Sequence, residues 1–186
     1  TVGDIRLPGV HNVENFLAAI AAVDGLVPDE TIRAFAREFG GVEHRIELVR
    51  TRKGVRWYND SIASSPSRTI AGLNAFDQRV ILIAGGKDKG ISYAPLGPVI
   101  NEHVKLLILC GATAGVIRQA VEEAENYQGL EILEVGDYPA AVETADRRSA
   151  EGDVVILSPA STSFDRFANF MERGRVFKDL VQKLPE

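Results

Sequence analysis

The feature that most constrains the fold is a set of short apolar runs separated by segments with helical character. Apolar runs cover Val80 to Ala84, Val154 to Leu157 and, interrupted only by Lys105, Val104 to Cys110, and a weaker run covers Glu131 to Val135. A strand with one wet face alternates apolar and polar residues, whereas a strand covered on both faces is apolar throughout. Because helical segments stand between these runs, the pattern predicts an α/β fold with a mostly parallel sheet and helices on both faces.

An antiparallel strand pair is predicted at one edge of this sheet. Arg45 to Arg50 and Val55 to Tyr58 have strand character, and the Lys53-Gly54 pair between them favours a tight turn. Together with the connecting helices, these elements describe a Rossmann-like domain over residues 42–186. The helices are predicted at Pro66 to Phe76, Pro95 to Glu102 (a helix or a loop), Thr113 to Glu125, Pro139 to Arg148 and Phe164 to Lys183.

Two further helices are predicted ahead of the first strand. Apolar residues recur at helical spacing over residues 12–24, and Asp29 can cap a second helix that ends before Gly40-Gly41. We therefore expect residues 1–41 to be the last helices of an adjacent, truncated domain. The sequence also contains no glycine-rich loop ending in Gly-Lys-Ser or Gly-Lys-Thr, which cradles a triphosphate. The chain is accordingly expected to be a fragment that is inactive by itself.

Composition argues against several classes of protein. A net charge of −5 with scattered Lys and Arg gives no basic surface of the kind that binds nucleic acid. No apolar run approaches the ~18 residues of a membrane-spanning helix. The single cysteine, Cys110, excludes an intrachain disulfide, suits a reducing compartment and is predicted to be a small buried residue. No Cys or His has the spacing of a metal site, so no metal ligand is expected.

Three polar segments follow directly after predicted strands: Asn59 to Pro66, Gly85 to Gly90 and Ser158 to Asp165. Because ligands of parallel α/β sheets bind beyond the carboxyl ends of the strands, we expect these segments to converge on one edge. Paired glycines let a ligand approach the backbone, lysines neutralise anions, and the N–H groups at a helix start attract them. The three segments together therefore predict a site for an anionic ligand.

Each signal also has an ordinary structural interpretation. Asp60 can form an Asx turn, the Gly85 to Gly90 loop can be a solvated turn, and the hydroxyls of Ser158 to Ser163 can cap the last helix. Arg45 can form a surface ion pair, and the Asn residues near the first helix can cap it. None of these signals is specific by itself. Their joint order along the chain, however, is specific.

In that order the motifs resemble the Mur ligase family. The resemblance spans Leu7 to Val181, and its most specific part is the run from Ser158 to Gly174. It implies an ATP-dependent, ADP-forming amide ligase of cytoplasmic peptidoglycan synthesis in bacteria. The motifs are Leu7-Pro8-Gly9-Val10-His11-Asn12-Val13-Glu14-Asn15, His44-Arg45, Asn59-Asp60-Ser61, Gly85-Gly86-Lys87-Asp88-Lys89 and Ser158-Pro159-Ala160-Ser161-Thr162-Ser163-Phe164-Asp165-Arg166-Phe167.

Within that family the resemblance is to the members that add D-glutamate, because the Asp-Asn-Pro-Arg-type loop of the members that add diaminopimelate or lysine is absent. It implies that ATP phosphorylates the carboxylate of UDP-N-acetylmuramoyl-L-alanine and that the amine of D-glutamate attacks the resulting acyl phosphate. The Mg²⁺ ligands are expected in the remainder of the parent chain.

The resemblance also implies roles for individual residues. Asn12 and Asn15 would contact the adenine, and Asp60 would contact the ribose hydroxyls. Arg45 would reach the ATP phosphates and act in catalysis together with Lys89. D-Glutamate would be bound by Ser64, Lys89, Ser163, Phe164 and Phe170.

Some points depart from the family pattern or stay open. Ile62 stands where many relatives have a lysine, and Lys87 is a second candidate beside Lys89, which the motif alignment favours. Two alternative functions are another amide ligase of the same family, such as a folylpolyglutamate synthetase relative, and a stand-alone Rossmann-like module. The module would bind a nucleotide or an amino acid without performing chemistry.

Overall fold

A six-stranded sheet lies at the centre of the computed structural model, which describes residues 1–7 and 10–186 without the side chain of His11. Pro8, Gly9 and the His11 side chain, all part of the first motif, therefore lie outside the described residues. In this described part, no helix has the length and apolar character needed to cross a bilayer. The strands are β1 (Glu47–Arg52), β2 (Val55–Asn59), β3 (Val80–Ala84), β4 (Val104–Leu109), β5 (Glu131–Glu134) and β6 (Val154–Leu157).

The strand order is β1-β2-β6-β3-β4-β5, and only the edge pair β1–β2 is antiparallel. The predicted Rossmann-like, mostly parallel sheet with an antiparallel edge pair is thus confirmed. The Lys53-Gly54 turn joins the pair, with φ of 48° and 74° at its two residues. The helices are α1 (Val10–Ala22), α2 (Asp29–Glu38), α3 (Pro66–Leu73), α4 (Leu96–His103), α5 (Ala114–Glu122), α6 (Tyr138–Arg148) and α7 (Phe170–Gln182).

Helices cover both faces of the sheet, which explains why the central strands are apolar without alternation. In β3, Leu82 packs in the layer of α3, α4 and α5, whereas Ile81 and Ile83 pack in the layer of α6 and α7. All five residues of β3 and all four of β6 are buried. Burying one such side chain contributes roughly 1.5–3 kcal/mol, so the two layers account for most of the driving force of the domain.

The leading helices α1 and α2 meet through aromatic rings. Phe35 and Phe39 stack with ring centroids 4.8 Å apart, and Phe16 lies 6.1 Å from the first ring and 6.3 Å from the second. Both helices were predicted. Asp29, however, is the first helical residue of α2 rather than its cap, because Pro28 occupies the capping position.

Two element boundaries differ from the prediction for a local reason. Helix α7 begins at Phe170 rather than Phe164, because Asn169 Oδ1 accepts a hydrogen bond from the Glu172 N–H at 2.9 Å and caps the helix there. The alternative interpretation, in which hydroxyls of Ser158 to Ser163 cap this helix, therefore does not hold. Strand β1 begins at Glu47 rather than Arg45, because residues 44 and 46 have positive φ and cannot continue a strand.

Candidate functional site

The three polar segments meet at one edge of the sheet, as the carboxyl-end rule predicts. The Asp60 N–H donates to the Leu157 carbonyl at 2.8 Å, and the Gly85 N–H donates to the Pro159 carbonyl at 2.9 Å. The Ser158 N–H in turn donates to the Ile83 carbonyl at 3.1 Å. Backbone hydrogen bonds thus continue the pairing of β2, β6 and β3 into the loops that follow them.

The glycine loop lies against the serine-rich loop in a single β-bridge. The Lys87 N–H donates to the Thr162 carbonyl at 2.9 Å, and the Thr162 N–H donates back to the Lys87 carbonyl at 3.1 Å. Gly86 stands beside this bridge with φ of 153°, and a Cβ there would lie 2.3 Å from the Thr162 carbonyl oxygen. Only glycine allows so close an approach, so the paired glycines serve loop packing.

Asp60 is a buried carboxyl group held by neutral donors. Its Oδ2 accepts from Ser158 Oγ at 2.8 Å, and its Oδ1 accepts from the Ile46 N–H at 3.3 Å. Burial disfavours the charged form and raises the pKa of Asp60 to about 7, an increase that the hydrogen bonds and the charges of Arg45 and Arg68 partly oppose. The group can therefore change protonation near neutral pH.

Arg45 lies on a short segment with unusual backbone geometry. His44 and Ile46 have φ of 68° and 46°, values that are uncommon for residues other than glycine and costly for a β-branched residue. The His44 N–H donates to Glu47 Oε2 at 2.9 Å, and the Ile62 N–H donates to the His44 carbonyl at 3.2 Å. These contacts, with the hydrogen bond that the Ile46 N–H donates to Asp60 Oδ1, hold the segment that presents Arg45.

Two neighbouring cavities contain the residues predicted to bind a nucleotide. Cavity A, of about 530 Å³, is bordered by α1, α2 and the segment before β1, and Asn12, Asn15 and Arg45 line it. Cavity B, of about 220 Å³, is lined by Arg45, Asp60 and Arg68 among others. Arg45 borders both cavities. The structure therefore places Asn12, Asn15, Arg45 and Asp60 around two cavities that share one lining residue.

A third cavity contains part of the predicted amino-acid site. Cavity C, of about 380 Å³, is lined by Ser64 and Lys89 together with Arg68, which also borders cavity B. The lining does not include Lys87, whose backbone forms the bridge to Thr162. Of the two candidate lysines, Lys89 is thus the one beside Ser64.

The remaining predicted residues do not line cavity C. Ser163 is buried in the serine-rich loop, where its carbonyl accepts the Arg166 and Phe167 N–H groups. The Phe164 side chain is 64% exposed, and the Phe170 ring lies edge-on to the His44 ring at 6.0 Å. The structure therefore brings Ser64 and Lys89 together, leaves Ser163 and Phe164 in the adjoining loop and places Phe170 at the start of α7.

Arg173 is an important residue of this edge to which the sequence analysis assigned no role. Its guanidinium is fully buried and donates to Ser61 Oγ at 3.0 Å, to the Ser61 carbonyl at 2.8 Å and to the Ser161 carbonyl at 3.0 Å. Burial lowers its pKa. The available signal was its spacing of four residues from Phe177, which places an arginine on the apolar stripe of α7.

One cluster in the described chain has the side-chain types of a metal site. Ligand atoms of Glu43, His44 and Glu47 lie within 4.8 Å of one another. Lys178 Nζ, however, lies 3.0 Å from Glu43 Oε1 and 2.6 Å from Glu47 Oε1. The one ammonium group bridges the two carboxylates, and this ion-pair network fastens α7 to the start of β1.

The chain resembles known proteins both in sequence and in fold. A family model described as "Mur ligase, glutamate ligase domain" matches residues 44–161. The UDP-N-acetylmuramoylalanine--D-glutamate ligase of Acetivibrio thermocellus is 57% identical over 185 residues, and that of Clostridium beijerinckii is 49% identical over 183. These matches cover 97% of this chain and 40% of each relative, so the chain spans about 40% of the length of the curated relatives it matches.

Solved structures share the fold at much lower identity. A Mycobacterium tuberculosis folylpolyglutamate synthase complexed with ADP and AMPPCP superimposes with a TM-score of 0.68 at 13% identity, over 93% of this chain and 41% of that one. A UDP-N-acetylmuramoyl-L-alanyl-D-glutamate--2,6-diaminopimelate ligase superimposes with a TM-score of 0.56 at 18% identity, over 96% of this chain and 40% of that one. At such identities the likeness establishes the fold and carries no further argument.

Proposed function

This chain belongs to the Mur ligase family, and on that premise we propose that it is part of an ATP-dependent ligase that joins D-glutamate to UDP-N-acetylmuramoyl-L-alanine. The observation that carries the proposal is the placement of Ser64 and Lys89 in a cavity that shares Arg68 with the cavity lined by Arg45 and Asp60. High identity to relatives named for this reaction supports the choice of substrate.

The chemistry requires an activated carboxyl group. A free carboxylate resists attack by an amine because oxide is a poor leaving group. Transfer of the terminal phosphoryl group of ATP to the carboxylate of UDP-N-acetylmuramoyl-L-alanine gives an acyl phosphate. The D-glutamate amine then attacks the acyl carbon, the amide bond forms, and inorganic phosphate leaves together with a proton from the amine. The contribution of the protein is positioning and charge neutralisation.

For the nucleotide, Asn12 and Asn15 would contact the adenine in cavity A, and Arg45 would reach the phosphates. Asp60 would accept hydrogen bonds from the ribose hydroxyls at the wall of cavity B, a role that suits a carboxyl group lacking an ion pair in the described chain. Mg²⁺ supplies charge neutralisation at the phosphates when bound, and its ligands are assigned to the rest of the parent protein.

For the amino acid, Lys89 and Ser64 would bind a carboxylate of D-glutamate in cavity C. Ser163, Phe164 and Phe170 remain predictions for the same substrate. Ser163 and Phe164 lie on the loop that the bridge from Thr162 to Lys87 ties to the glycine loop, and Phe170 is the first residue of α7.

The proposed domain division places the boundary after residue 41. Helices α1 and α2 precede the first strand and pack through their own aromatic cluster, which supports their assignment to the adjacent ATP-binding domain. On this proposal the 186 residues alone would not hydrolyse ATP, because they lack a triphosphate-binding loop.

The test is ADP release by the full-length protein that contains this chain, supplied with ATP, Mg²⁺ and UDP-N-acetylmuramoyl-L-alanine. The amino acid is varied among D-glutamate, L-glutamate, L-lysine, L-alanine and diaminopimelate. Turnover with D-glutamate alone is expected. Turnover with a different amino acid would move the protein to another ligase of the family, and no turnover from folded protein would favour a binding module without chemistry.

A further inference from the structure

Cavity C contains a second cation to which the proposed function gives no role. Its lining contains two cations, Lys89 and Arg68, and no acidic side chain. Hydroxyl groups make up most of the remaining polar lining, from Ser64, Ser65, Ser67 and Ser92. A cavity with two cations, several hydroxyls and no carboxylate suits a ligand with two negative groups.

Arg68 forms no ion pair within the described residues, although its charge acts on the buried Asp60 at cavity B. Its guanidinium Nη1 donates to the Ile62 carbonyl at 3.3 Å, and no acidic side chain in the described ranges forms an ion pair with it. Arg68 also lies in the first turn of α3, which contains no acidic residue and where the helix dipole disfavours a cation. Neither an ion pair nor helix stability accounts for an arginine at this position.

Arg68 is also placed where a second cation would be useful. It borders both cavity B and cavity C, and it follows Ser64 by four residues, with its guanidinium at the carbonyl of Ile62. Ile62 itself carries no charge. The cation beside this loop therefore comes from the helix rather than from the loop, and Lys89 is a second cation that lines the cavity from the glycine loop.

Resting on the proposed function, we propose that Arg68 is a specificity-determining residue that binds one of the two carboxylates of the incoming dicarboxylic amino acid, while Lys89 binds the other. The planar guanidinium can donate two parallel hydrogen bonds to a carboxylate, and lysine can supply only a point charge. Two cations that line one cavity distinguish a dicarboxylic acid from amino acids with one carboxylate, because one cation stays unpaired with the latter.

The test uses Arg68→Ala and Arg68→Lys in the full-length protein, with Arg147→Ala as the matched control. Arg147 is an exposed helical arginine on α6 that pairs only with neighbours on its own helix. We expect Arg68→Ala to raise KM for D-glutamate by roughly 10- to 100-fold, the effect of losing a charged hydrogen bond, and to change KM for ATP far less. Arg68→Lys should give a smaller increase, and the control none.

A substrate comparison separates recognition from a structural role. kcat/KM is measured for D-glutamate and for its two monoamides, each of which lacks one carboxylate charge. In the wild type both amides should be poor substrates. In Arg68→Ala, the preference for D-glutamate over one of the amides should shrink at least tenfold, and the preference over the other should persist. A merely misfolded variant would lower all three values together.

Three results would overturn the inference while leaving the proposed function intact. They are an unchanged KM for D-glutamate in Arg68→Ala, a KM increase for ATP instead, and unchanged preference over both amides. If the wild-type protein does not use D-glutamate at all, the proposed function itself fails, so the two failures are distinguishable. Thermal unfolding of each variant checks that the fold is retained.

Discussion

At the scale of single residues, Asp60 shows how burial alters a group that the motif alone identifies. Its carboxyl group accepts hydrogen bonds from Ser158 and Ile46, which are neutral donors, and this environment raises its pKa from 3.8 to about 7. Near neutral pH the side chain is divided between its charged and neutral forms. A ligand hydroxyl or cation at cavity B would favour the charged form.

A pH-dependent stability effect follows for Asp60. A carboxyl group whose pKa is higher in the folded than in the unfolded protein destabilises the fold as pH rises from the lower to the higher value, here from about 4 to about 7. Asp60→Asn removes this titration. The melting temperature of the variant relative to the wild type should therefore increase across this range, measured by thermal unfolding of the full-length protein.

The exposed Asp77 offers a control, because Asp77→Asn should follow the wild-type curve at all pH values. A constant offset between Asp60→Asn and wild type from pH 4 to 7 would contradict a raised pKa. The position of Asp60 after a strand was predictable from sequence. Its protonation was not, because one of its donors, Ser158, is 98 residues away along the chain.

At the scale of elements, α7 connects the loops of the site. Arg173 on this helix binds the loop after β2 through Ser61 and the loop after β6 through Ser161. Ser61 Oγ in turn donates to the Phe170 carbonyl at 2.7 Å, at the first residue of the helix. The helix therefore sets the distance between two loops that carry predicted site residues.

We expect Arg173→Met to destabilise the fold by about 2–5 kcal/mol, because the substitution removes three donors and leaves buried carbonyl groups without partners. Denaturant unfolding of the full-length protein measures the change. Arg175→Met is the matched control on the exposed side of the same helix, and it should change stability by less than about 0.5 kcal/mol. Equal effects of the two substitutions would contradict the role of Arg173 in holding the two loops together.

The start of α7 shows why element boundaries are difficult to predict. Serine and threonine before Phe164 are acceptable capping residues, and so is Asn169. Tertiary contacts decide between them, because Thr162 is held by the bridge to Lys87 and Arg173 holds Ser161 from within the helix. Residues 162–169 are consequently not helical, and α7 begins after them.

At the scale of the whole molecule, the three cavities are linked one to the next by shared lining residues. Arg45 joins cavity A to cavity B, and Arg68 joins cavity B to cavity C. On the proposed function, the series places adenine at the leading helices, the ribose and phosphates at the sheet edge and the amino acid beyond them. A substitution in one cavity should therefore mainly weaken the binding of the ligand that is assigned to that cavity.

Ala19→Trp tests this separation, because Ala19 is an exposed residue of α1 that lines cavity A. The indole would fill the cavity, so KM for ATP should rise about tenfold or more while KM for D-glutamate stays unchanged in the full-length protein. Ala18→Trp, an exposed neighbour outside the lining, should leave both values unchanged. A rise in KM for D-glutamate alone would contradict the assignment of cavity A to the nucleotide.

The sequence by itself determined the fold class, the order of the strands along the chain and the convergence of three polar segments. These follow from apolar periodicity and from the rule that parallel strands present their carboxyl ends at one edge. Only the tertiary structure decided which cations face cavity C, that Arg173 holds Ser61 across 112 residues, and that Asp60 is buried among neutral donors. The physical reason is that charge compensation, burial and cavity shape depend on residues far apart in the chain, which local patterns do not encode.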